Sequence, residues 1–147
     1  MEWDGLYAFD AADAELSLMP MAVRRALDCA GLHVSLASWQ MLPQAVRRAL
    51  LALGAATEVD SRAVVQQLTA ASASAREQPA LADPPAEHAP DEVKDLLGAS
   101  APRVLELWPQ LRPLDRYVLA QLCRRAKRDR ALEAAKEIAA FHAAAAR

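Results

Sequence analysis

Two arginine pairs, Arg24-Arg25 and Arg47-Arg48, stand in identical settings: the hexapeptide A-V-R-R-A-L occurs at residues 22–27 and again at 45–50. A guanidinium is a planar fork of donors that binds both oxygens of a carboxylate or phosphate, so such pairs suit an anion or an acidic partner better than bond-making chemistry. Arg24 and Arg25 lie within i+4 and i+3 reach of Asp28, which would orient a guanidinium on one helix face. A third basic group, R-R-A-K-R-D-R at 124–130, is the densest run in the chain. It suits a solvated helix end, favoured by the helix dipole, or an electrostatic docking face for an acidic surface or RNA.

Other chemistry has little support. His33, His88 and His142 are isolated, Cys29 and Cys123 form no C-x-x-C, and no H-E-x-x-H, P-loop, G-x-G-x-x-G or G-x-S-x-G stretch is present. Cys29 and His33 are four apart, but Gly31 between them should break the helix. No metal or cofactor is therefore expected. The thiols are expected to be buried and free, since the N-terminus lacks a secretory pattern and the chain reads as cytoplasmic. No window approaches the apolar length of a membrane span.

The elements that must carry these residues read as helices. Of 147 residues, 54% are apolar and 24% charged, alanine dominates, and the net charge is −2. Such a chain is globular and is not one dedicated to coating nucleic acid. Pro20 suits a first helical position, Val23, Ala26, Leu27 and Ala30 make one apolar stripe, and Gly31 ends the helix. Pro43, the stripe Val46, Ala49, Leu50 and Leu53, and Gly54 repeat that plan, so Arg47 and Arg48 are expected to be solvated. Ser35 caps a short helix carrying Leu36, Trp39 and Met41. Trp3, Leu6, Tyr7 and Phe9 suggest an arm over the core, followed by a short helix over 10–16.

Thr57 and Asp60 open a helix expected over 58–76. E-Q-P-A-L-A-D-P-P-A-E-H-A-P, residues 77–90, holds four prolines and is expected to be an exposed, flexible, extended insertion. Asp91 to Leu97 and Ser100 to Trp108 give short helices, 113–128 a long one, and Leu132 to Ala146 a last one with Ile138 and Phe141 buried and an alanine end that frays. The fold class is all-α: one compact, bundle-like domain over 1–147, with six or seven helices and a proline-rich loop.

Residues 20–42 also permit a helix-turn-helix reading. The would-be recognition helix, Ser35 to Gln40, contains no arginine or lysine, and Gln40 is its best base-reading residue.

Two blocks carry a resemblance. Leu18, Met19-Pro20-Met21, Val23-Arg24, Leu27-Asp28, Gly31-Leu32, Leu36 and Trp39, preceded by Tyr7-Ala8-Phe9, resemble the opening of the nitrate-reductase-associated protein family. Trp108, Leu111, Pro113-Leu114, Arg116-Tyr117, Leu119 and Leu122 resemble its second block. The sequence departs from that pattern at Ala26, at Ala30 with Cys29 one place early, and at Leu53-Gly54-Ala55, so a role for family thiols is not carried over.

The resemblance implies a cytoplasmic, non-catalytic accessory or maturation factor for a molybdenum-dependent enzyme, assimilatory nitrate reductase above all. It would act chaperone-like, by contact with the nitrate reductase apo-enzyme or a molybdenum-cofactor insertion protein. The candidate partner-binding residues are Arg24, Asp28 and Trp39 in the first block, Arg116 in the second, and Arg124 and Arg125 in the basic run. Nucleic acid is not expected as the partner. The second reading is a nucleic-acid-binding regulator that uses the 20–42 unit or the 124–130 run.

Overall fold

The computed structural model describes residues 3–146 and places eight α-helices there, with one pair of two-residue strands. The fold is predominantly all-α. The helix number exceeds the expected six or seven, while the region after residue 90 holds four helices, as many as expected there. Contacts gather into two compact units that meet in sequence at Ala82 and Asp83.

In the first unit, α1 (Met21–Ala30) is followed by β1 (Leu32–His33), α2 (Leu36–Met41), α3 (Gln44–Ala55), α4 (Ser61–Ala70) and β2 (Arg76–Glu77). Pro20 and Pro43 sit one place earlier than expected, as the residues before the first helical position. The first N–H of α1, on Met21, donates to Asp10 Oδ1 at 3.1 Å, so the preceding arm supplies the cap. Val23, Ala26 and Leu27 of the expected stripe are buried, and Ala30 at its end is half-buried. Gly31 ends the helix in the left-handed region, at φ 71°.

Gly54 does not end α3. It lies inside the helix and faces α1, where a Cβ would stand 1.7 Å from the Ala22 carbonyl oxygen. The glycine is there because the two helices touch backbone to backbone. The helix expected over 58–76 is shorter, because Asp60 is its cap, accepting from the Ala63 N–H at 3.0 Å, and the chain turns left-handed at Ser72.

In place of a helix over 10–16 there is a 3-10 turn, Ala8–Asp10, with left-handed residues at Ala11 and Leu16. Tyr7 stacks on Phe9 at 4.8 Å between ring centres, and both are buried. The strands pair antiparallel, Leu32 opposite Glu77 and His33 opposite Arg76. The Gln78 N–H then donates to Gly31 O and the Leu81 N–H to Asp28 O, each at 2.9 Å. Extended chain therefore satisfies carbonyls that the C-terminal end of α1 leaves open.

The second unit comprises α5 (Asp91–Leu97), α6 (Pro102–Glu106), a 3-10 turn (Trp108–Gln110), α7 (Pro113–Arg124) and α8 (Arg128–Ala145). Every residue from Leu114 to Ala120 is buried, so α7 is covered all round, as a core helix is. The helix α8 packs on α7, α6 and α5 and buries Ala131, Ala134, Ala135 and Ile138. The helix expected to reach 128 stops at Arg124, because Ala126 turns left-handed at φ 54°. The last helix accordingly starts at Arg128, earlier than expected. Among the described residues no helix is long and apolar enough to cross a membrane.

Candidate functional site

The four arginines of the two A-V-R-R-A-L copies have four different surroundings. Arg25, expected on the open face beside Arg24, is fully buried. Its Nη1 donates to Gly54 O at 2.8 Å and to Ala56 O at 2.5 Å, and its Nη2 to Thr57 O at 2.9 Å. One guanidinium thus closes the C-terminal end of α3, where backbone carbonyls have no helical donor.

Arg47, expected to be solvated, is buried as well. Its Nη1 donates to Glu15 O at 2.8 Å, its Nη2 to Gln40 O, and its guanidinium stands 5.8 Å from the Trp39 ring centre. Arg48 is exposed and donates to Ala14 O. Arg24 alone of the four is exposed with no side-chain hydrogen bond or ion pair among the described residues.

Arg24 borders a hollow of about 310 Å³ lined by Met19, Arg24, His33, Val34, Ser35 and Leu36. The turn Gly31 to Ser35 supplies three of these residues: β1 carries His33, Val34 turns the chain inward, and Ser35 caps α2. The Ser35 hydroxyl accepts from the Ser38 N–H at 3.1 Å, so it serves as a helix cap. Asp28, expected to orient Arg24, instead accepts from Gln78 Nε2 at 3.2 Å. Trp39 is fully buried and its indole N–H donates to Leu16 O at 2.8 Å. It holds the arm in place and offers no surface to a partner.

The helix-turn-helix reading finds no reading helix. The segment α2 has six residues, and Gln40 spends its amide N–H on Ser17 O at 3.1 Å.

In the second unit Arg116 is buried, and its Nη1 donates to Leu111 O. It fixes the turn before α7 and is not presented outward. Beside it lies an arrangement that sequence reasoning missed. Asp115 is fully buried and receives Arg112 Nη2 at 2.8 Å, Arg112 Nε at 2.9 Å, the Arg112 backbone N–H at 3.1 Å and His142 Nε2 at 3.1 Å. The Arg112 guanidinium covers the Phe141 ring at 3.7 Å. Phe141, expected in the core, is instead 39% exposed, with that guanidinium over its ring. The legible signal was the i,i+3 pair Arg112 and Asp115 at a proline-started helix; nothing in the sequence pointed to His142.

An aspartate with a histidine on it invites comparison with hydrolase relays. Here the carboxylate is saturated by its donors and is used up in holding α7 to α8.

Arg124 and Arg125 lie exposed at the end of α7. With Lys127 they make no side-chain hydrogen bond or ion pair among the described residues. Arg128 donates to Ser100 Oγ at 3.1 Å. Cys123 is buried, and burial, with the Glu92 charge second, pushes its thiol up to about 11, well away from a nucleophile. Cys29 is half-buried and also free of a disulfide. No group of three histidine, cysteine or acidic residues that could hold a metal occurs among the described residues.

The family model for conserved nitrate reductase-associated protein matches residues 6–138. The chain belongs to that family. The match begins in the N-terminal arm and ends in α8, so it spans both units and includes both blocks described above. No curated protein and no solved structure matches the chain.

Proposed function

We propose that this protein is a non-catalytic accessory factor in the maturation of nitrate reductase. It works in the cytoplasm, by contact with the apo-enzyme or with the protein that inserts the molybdenum cofactor. The observation that carries this reading is the family match over residues 6–138.

The side-chain chemistry supports a binding role over a catalytic one. Groups that could have served a reaction, Arg25, Trp39, Asp115 and Arg116, are buried and committed to the fold. What the surface offers is cations with no side-chain hydrogen bond or ion pair among the described residues, including Arg24 and Arg76 in the first unit and Arg124, Arg125 and Lys127 in the second. Rim cations of this kind steer an acidic partner and set its register more than they supply affinity.

The test is affinity purification of the tagged protein from cells grown on nitrate, with co-purifying proteins identified by mass spectrometry. Recovery of nitrate reductase or its insertion protein is expected, with loss in cells grown without nitrate. Arg124→Glu with Arg125→Glu should reduce that recovery while leaving the circular-dichroism spectrum unchanged. Recovery of nucleic acid alone, or of nothing above background, would overturn the reading.

A further inference from the structure

The hollow beside α1 has a composition that selects its occupant. Two basic side chains line it, and a third is paired with one of them across the two strands. Arg24 and His33 line it, and Arg76 sits directly opposite His33 in the antiparallel strand pair, which places the two side chains on one face about 5 Å apart at Cβ. Neither Arg24, His33 nor Arg76 has a side-chain hydrogen bond or ion pair among the described residues, and all three are exposed.

The nearby acids do not neutralise them. No carboxylate lines the hollow. Asp28 is engaged by Gln78, and Glu77, next to Arg76 in β2, points to the opposite face by strand alternation.

Apart from Ser35 the rest of the lining is apolar: Met19, Val34 and Leu36, with Leu36 left 49% exposed. At about 310 Å³ the hollow stands at the lower end of ligand pockets, which run from about 300 to 1,000 Å³. The one hydroxyl in it, on Ser35, is occupied as a helix cap. An apolar floor with cations only on the rim gives no inward-facing polar group to enclose a small anion. It fits one large apolar side chain whose neighbours are negative.

We propose that this hollow takes a segment of a partner protein in which a leucine- or phenylalanine-like side chain is flanked by carboxylates. The apolar side chain seats on Met19, Val34 and Leu36. The flanking carboxylates meet the Arg24 fork, with His33 and Arg76 beside it. This rests on the reading that the protein acts by contact with another protein, but not on which protein that is.

The experiment is selection of short random peptides displayed on phage against the intact protein. Selected peptides are then synthesised and their binding measured by fluorescence anisotropy. The expected result is enrichment of aspartate or glutamate next to leucine or phenylalanine. Affinity should fall by about tenfold or more in Arg24→Glu, the worth of a charge-assisted hydrogen bond and its reversal. Arg62→Glu, an equal charge change on the exposed side of α4, should leave binding unchanged.

Enrichment without acids, equal loss in both variants, or affinity unaffected by Arg24→Glu would overturn the proposal. So would displacement of the peptide by millimolar inorganic phosphate, which would mark a small-anion site instead. If acidic peptides bind as described and nitrate reductase still fails to co-purify, the identity of the partner falls and the hollow's chemistry stands. If the reductase co-purifies and the peptides do not bind, the reverse holds.

Discussion

The two copies of A-V-R-R-A-L make a natural experiment in one molecule. In α1 the residues Ala22, Val23, Ala26 and Leu27 are buried, Arg25 goes inside with them and Arg24 faces out. In α3 the same letters sit turned by about one residue. Arg47 and Leu50 are buried, Val46 and Ala49 are half-buried, and Ala45 and Arg48 are exposed. One residue is a rotation of about 100° around a helix, enough to exchange which arginine of the pair becomes structural. A hexapeptide therefore fixes that a helix forms but not which face it buries. That is decided by what waits on the other side: the open carbonyls ending α3 for Arg25, and those of Glu15 and Gln40 for Arg47.

This contrast can be broken or sharpened by substitution. The largest effect is expected where the two helices touch. Gly54→Ala would put a Cβ on the Ala22 carbonyl and force α1 and α3 apart, at a cost of about 3 kcal/mol or more; chemical denaturation, or failure to obtain folded protein, reads it. Arg25→Met comes next, since it leaves the carbonyls of Gly54, Ala56 and Thr57 without their donor. A loss of about 2–3 kcal/mol in urea unfolding is expected. Arg47→Ala gives up two carbonyl partners nearer the surface and the contact with Trp39, for about 1–2 kcal/mol, visible as a lowered midpoint and a changed tryptophan emission. Arg24→Ala should be the smallest, within about 0.5 kcal/mol of the parent. If Arg24→Ala destabilised as much as Arg25→Met, the assignment of inside and outside at the two copies would be wrong.

Local chemistry was legible and its destinations were not. The apolar stripe of α1, the cap at Ser35 and the turn at Gly31 follow from residue types within one or two helical turns, and all three are where the sequence indicates. Gly54 reads as a stop because glycine usually follows a helix. Its actual use, the approach of α1, is a property of a partner about thirty positions away in the chain. The same separation hid Arg25 and the Glu15 acceptor of Arg47, and backbone carbonyls carry no sequence signature as acceptors. It also hid His142, since neither its own neighbours nor those of Asp115 say that the two meet. The hollow was half legible: Arg24 stood out, whereas its neighbours His33 and Arg76 come together only through the strand pair.

The clasp at Asp115 sets where the last helix can loosen. Alanine-rich helix ends exchange their amide protons quickly because nothing holds the final turns. Here His142 is tied to a buried carboxylate and Phe141 lies under a guanidinium, so the turn that contains them cannot open alone. Amide protection should therefore persist along α8 through these two residues and decline only beyond them. A chain trimmed back to residue 140 would lose both ties at once, and the melting of its last helix would reach back toward Ile138, into the core.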